Sequence, residues 1–299
     1  MSLTKKFKKI PAVLVAFLVF DALALGAFGS YYLAQRSFAK KMAQIESQNP
    51  ENLVKDATAK VLPAVGYTTS LSWGEIGPKL IASGVIDWEQ YKDYFDGLDI
   101  FSGPTNEKIA INEQNSRALV NTLWALGLVN KSKVLDEGPM KTSGTDPGNF
   151  ASTGGWTLGK KEAMALYSSE SLIPLTEKQQ DLVQMIAANV YRPCCGNSVA
   201  FPDCNHGMAA LGYIELAVYS GLSEEQIYKD LLVFNSFWFP QTYVEMAVYF
   251  QKQQNLDWDK VDAKTALSYD YSSAAGAANI SKQVQNVPGL QSQGGSCGA

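Results

Sequence analysis

Residues 201–226 read FPDCNHGMAALGYIELAVYSGLSEEQ. Pro202 and Asp203 lead into an apolar stretch that is expected to be helical from about Asn205 to Ser220. Ser223-Glu224-Glu225-Gln226 has the pattern of a capping box and opens a second helix through Leu231 and Phe234. Pro240 suits the first turn of a third helix, carried by Tyr243, Val244, Val248 and Phe250. Upstream, Thr176-Glu177-Lys178-Gln179 is another capping box, and its helix is expected to run to about Tyr191. The aromatic run FNSFWFPQTY, residues 234–243, reads as core. The C-terminal half therefore predicts a mainly α, irregular helical domain.

The N-terminal half is less regular. LSWGEIGPKLIASGVIDWEQYKDYF, residues 71–95, reads as two short helices joined at Ser83-Gly84. KIAIN, residues 108–112, is a candidate strand. Residues 113–128 form an amphipathic helical pattern through Leu119, Leu123 and Leu126. Residues 135–159 are rich in glycine, proline and small polar side chains and read as a long loop. Beyond about Ala274 the chain turns small and polar, which predicts a flexible tail.

The first residues have a different character. Lys5, Lys6, Lys8 and Lys9 precede a run from Ile10 to Leu33 whose one charge is Asp21. About 24 residues at 1.5 Å each suffice to cross a hydrocarbon layer of roughly 30 Å. The lysines place the N-terminus in the cytoplasm, with Tyr31 and Tyr32 at the far interface. Asp21 would be costly in mid-membrane and would face a partner or an aqueous path. The alternative is a signal peptide cut after Ala22-Leu23-Ala24, giving a secreted protein. Either way the rest of the chain is exported.

The expected organisation is an anchor over 1–36, a helical stalk over 37–60 broken at Asn49-Pro50, a helical domain over 61–274, and a tail over 275–299. Partners follow from this: a membrane through the N-terminal helix, and a membrane or extracytoplasmic protein. A net charge of −4 without a basic stripe argues against nucleic acid. GGWTLGKK, residues 154–161, nearly matches a phosphate-binding loop, but Lys161 stands where a hydroxyl would hold Mg²⁺. No nucleotide is expected.

The chain has 4 cysteines and 1 histidine. Cys194, Cys195, Cys204 and His206 fall within one loop, and Cys297 lies in the terminal GGSCGA. Cys204 sits at or just before a helix N-terminus, where free backbone N–H groups and the helix dipole favour a thiolate. Gly207 leaves room for a close approach. Soft sulfur with imidazole suits copper, zinc or iron and does not suit Ca²⁺ or Mg²⁺. The candidate metal ligands are Cys194, Cys195, Cys204, His206 and Cys297. Two further readings use the same residues. One is thiol–disulfide exchange through the adjacent pair, with Cys297 as resolving thiol. The other is a module stapled by two inert disulfides. No catalytic triad is indicated, because no G-x-S-x-G elbow accompanies the single histidine.

PCCGNSVAFPDCNHGMAALGYIEL, residues 193–216, followed by FNSFWFPQTY and a terminal GGSCGA, resembles a bacterial group of exported proteins. That group joins a Cys-Cys…Phe-Pro-Asp-Cys-Asn-His-Gly stretch to a glycine-rich, cysteine-bearing tail. The resemblance spans roughly residues 175–299. It implies that loop and tail belong together, and it carries no assigned activity.

Overall fold

The computed structural model describes residues 28–29, 31–38, 50–92 and 100–290. It divides into two units, Met1–Leu53 and Val54–Ala299. In the first, residues 31–38 are helical and exposed. No helix among the described residues is long and apolar enough to cross a membrane. Most of the expected anchor, Asp21 included, lies outside the described residues, as does Cys297.

The second unit is mainly helical, as the periodicity predicts. Its principal helices are α1 (Pro50–Val61), α2 (Ile76–Ser83), α3 (Ser116–Val129), α4 (Glu177–Ala188), α5 (Asn205–Tyr219), α6 (Glu224–Trp238), α7 (Pro240–Gln254) and α8 (Ala274–Val284). The first capping box forms in full and the second only in its N-cap half, because the Gln226 side chain bonds to Asp230 and Tyr67 instead. Thr176 accepts from the Gln179 backbone N–H while the Gln179 side chain returns the bond, and Ser223 accepts from Gln226 N–H. Pro240 takes the first turn of α7.

Four sequence expectations are corrected. The segment after Ala274 is not a flexible tail as far as Leu290. It forms α8 and buries Ile280, Val284 and Val287 against α7. Its alanines and glycine are small because they pack closely. The segment expected to be a stalk ends in α1, which breaks in at Pro50 and buries Val54, Ala57 and Val61 in the domain. Residues 71–74, expected to open a helix, are in a strand. Strand β1 (Tyr67–Gly74) pairs antiparallel with β2 (Thr105–Ile111), with Tyr67 opposite Ile111. Alternation of Thr69, Leu71 and Trp73 toward the core is the strand signal in that stretch. The loop 135–159 contains single helical turns at Pro139–Thr142 and Pro147–Asn149 rather than continuous coil.

The α3–α5 pair forms the centre. From Ala118 to Val129, α3 is buried on every side, so its amphipathic pattern understates its burial. Gly127 and Gly212 let the two backbones touch: a Cβ on Gly127 would lie 2.1 Å from Met208 O, and one on Gly212 would lie 2.4 Å from Leu123 O. Asn121 and Trp124 face Cys204 and Asn205 before this crossing, and Asn130 meets Glu215 after it. The two helices therefore run in the same direction. The sheet is tied to this pair through Asp230 of α6, a buried carboxylate. It accepts from Tyr67 Oη at 2.5 Å, from Gln226 Nε2 at 2.8 Å, and from Tyr213 Oη.

Candidate thiol centre

The loop between α4 and α5 is held by its own backbone. Val199 N–H donates to Val190 O at 2.8 Å, Ala200 N–H to Ala187 O at 3.1 Å, and Ala274 N–H to Cys195 O at 3.0 Å. The last of these attaches the start of α8 to the cysteine pair.

Arg192 sits in the middle of this loop and is 1 % exposed. Its guanidinium donates to Cys204 Sγ at 3.2 Å, Asn197 O at 2.9 Å, Phe201 O at 3.2 Å and Asp203 Oδ1 at 2.5 Å. Asn197 Nδ2 closes the ring by donating to Asp203 Oδ2 at 2.8 Å. A buried charge is tolerated when it is paired and fully hydrogen-bonded in this way. Gly207 makes room for it, because a Cβ there would stand 2.5–2.8 Å from three guanidinium atoms. The close approach expected at Gly207 is thus to Arg192. Arg192 carries no sequence signal beyond its place two residues before the cysteine pair, and Asp203, expected only to lead into the helix, is its ion-pair partner.

Cys194, Cys195 and Cys204 are free thiols whose sulfurs all lie within 4.8 Å of one another. Cys194 Sγ is 3.4 Å from Cys204 Sγ and 3.5 Å from Cys195 Sγ. Cys204 is the N-cap of α5 and accepts from Gly207 N–H at 3.4 Å. Hydrogen bonds from the other two thiols, the Arg192 charge and the His206 side chain hold Cys204 well below the usual thiol range, against its burial. Contact with the neighbouring thiols and burial push Cys194 upward. Cys195 is pushed up to about 12, chiefly by Cys204 and burial against the opposing hydrogen bond of Cys194.

His206 lies beside the three-sulfur group, its side chain within reach of Cys204. It is 5 % exposed, with its ring 4.5 Å from Phe239 and 5.6 Å from Trp238, centroid to centroid. Its Nδ1 is buried and has no hydrogen-bond partner. The expected aromatic core run thus encloses the histidine.

The three cysteines line a cleft of about 470 Å³ shared with Arg117, Asn121 and Trp124 of α3. Those three α3 residues follow i, i+4, i+7 spacing and so share one helix face. Sequence reading followed the leucines of the opposite stripe and missed them. Tetrahedral zinc with sulfur at about 2.3 Å requires sulfurs roughly 3.7 Å apart. The separations of 3.4 and 3.5 Å come within a few tenths of that. The trio can hold a metal ion or undergo redox chemistry.

No family model matches this chain, no curated protein matches it, and no solved structure matches it.

Proposed function

We propose that the protein binds and hands on a soft transition metal, copper, zinc or iron, through Cys194, Cys195 and Cys204. The carrying observation is three free thiols gathered on the wall of a cleft, one of them at a helix N-terminus and hydrogen-bonded by a buried arginine. Thiolate sulfur selects Cu(I), zinc and iron over hard cations. His206, with its bare buried Nδ1 one residue inside α5, is the nearest source of a fourth, nitrogen ligand. Cys297, the remaining ligand expected from the sequence, lies outside the described residues. The lysine cluster and apolar run at the N-terminus support an exported domain held by a single membrane helix.

Titration of the reduced full chain with Cu(I), Zn(II) and Co(II), followed by thiolate-to-metal absorbance, tests this. One ion per chain is expected, with affinity rising with pH because Cys194 and Cys195 must lose protons to bind. Cys204→Ser should weaken binding by more than about tenfold, the lower end of what even outer-shell partners contribute. Stoichiometric retention of metal by Cys204→Ser, or no uptake by the parent chain, would discard the reading.

A second reading rests on the 3.4 Å between Cys194 and Cys204 sulfurs, since a small movement brings them to a disulfide bond. Metal-free protein with one readily reduced Cys194–Cys204 bond after mild oxidation would favour thiol–disulfide exchange.

A further inference from the structure

The cleft is far larger than an ion. At about 470 Å³ it has the size of a small-molecule site. Asn121 is 7 % exposed, lines the cleft, and its amide makes no hydrogen bond to any described residue. The amide is therefore open to the cleft, where water or a ligand meets it. Arg117, one turn earlier on the same face, is exposed at the cleft mouth, and no described residue pairs with its guanidinium. No carboxylate of a described residue lines the cleft. Trp124 adds an apolar wall. The opening beside the sulfurs therefore offers a cation, an unmet amide and an aromatic surface.

We propose that this cleft recognises the carrier of the metal, a small thiol bearing a carboxylate, with the carboxylate on Arg117 and the Asn121 amide and the sulfur facing the three cysteines. The proposal rests on the metal reading above and names the form in which the ion arrives. The exchange balances. A divalent ion held by two carrier thiolates breaks both of those bonds and forms three to Cys194, Cys195 and Cys204. Two protons displaced from the cysteine centre leave on the two carrier sulfurs. The total charge, carrier carboxylates included, is the same before and after, and no electron moves.

The test uses Hg(II) as a soft divalent probe, supplied to the reduced full chain as its bis-complex with 3-mercaptopropionate or with the neutral 2-mercaptoethanol. Uptake is followed by stopped-flow absorbance. Transfer from the carboxylate complex is expected to be about tenfold faster, as charge complementarity acts mainly on association. In Arg117→Gln and Asn121→Ala, with folding checked by circular dichroism, the ratio of the two rates should fall to near one. Lys229→Gln, which removes a surface charge paired with Glu225, should keep the parent ratio. Equal rates in the parent chain, or an unchanged ratio in Arg117→Gln, overturn the proposal. Hg(II) chloride reports on the thiols alone. If the chain does not take it up, the metal reading fails separately. The carrier site is then decided by binding of 3-(methylthio)propionate to the metal-free chain, read from the Asn121 and Trp124 side-chain NMR signals. Shifts at those two residues that are lost in Arg117→Gln sustain the site, and their absence removes it.

Discussion

Gly127→Ala is expected to destabilise the domain by about 3 kcal/mol or more, the upper end of what overpacking a core costs. Helix propensity alone predicts the opposite sign, a gain of about 1 kcal/mol for alanine over glycine in a helix interior. The decision lies with geometry. The new Cβ would stand 2.1 Å from Met208 O and 3.0 Å from Gly212 N, both backbone atoms of α5. No rotamer can relieve a contact made by Cβ, so the helix axes must separate. Gly103→Ala is the control: nothing lies within 4 Å of a Cβ there, and its effect should stay within about 0.5 kcal/mol. Urea denaturation midpoints at constant slope measure both. A neutral or stabilised Gly127→Ala would show that the α3–α5 contact is looser than described. The same separation would move Asn121 and Trp124 away from Cys204. A folded fraction of the variant should therefore also bind Zn(II) more weakly than the parent.

On the far side of that crossing, Glu215→Gln should make the domain more stable at neutral pH by roughly 3 kcal/mol. Glu215 is fully buried, and its Oε2 accepts from Asn130 Nδ2 at 2.9 Å while Oε1 has no hydrogen-bond partner. Burial pushes its carboxyl from 4.5 up to about 8, against the smaller opposing pull of Ser132 and Asn130. Between those two values the folded chain keeps a proton that the unfolded chain releases. Stability therefore falls as pH rises from about 4.5 to about 8, by about 1.4 kcal/mol per pH unit. Glutamine keeps the acceptor for Asn130 and carries no proton to lose. The difference between variant and parent should be small near pH 4.5, widen steadily, and level off above about 8. Urea titrations at four pH values across that window measure it. Parallel pH profiles for the two proteins would show that Glu215 is charged inside the fold, in contact with a cation or water.

These two results would also locate the thiol centre in the architecture. Cys204 and Glu215 are both on α5, Asn121 and Asn130 both on α3, and the glycine contact lies between the pairs. The cleft has its shape because two backbones are allowed to touch several residues away from it.

The amino-acid sequence by itself determined which segments are helices and where several of them start. Side chains at Thr176, Gln179 and Ser223 satisfy N–H groups three residues away, and such local bonds form whatever the distant chain does. It also determined that Cys194, Cys195 and Cys204 share one loop, with Cys204 at a helix entrance. Tertiary structure alone decided the rest. Small residues after Ala274 are equally compatible with a loose tail and with a closely packed helix, and only the face of α7 selects the second. Residues 67–74 needed β2, more than thirty residues away, to become a strand. Arg192 became the buried centre of the cysteine loop because Gly207, Asp203 and Asn197 surround it in space. His206, two residues after Cys204, packs its ring against Trp238 and Phe239 while staying within reach of that thiol. Those rings come from the α6–α7 junction, far along the chain, and spacing along the chain does not record which surroundings a side chain will meet.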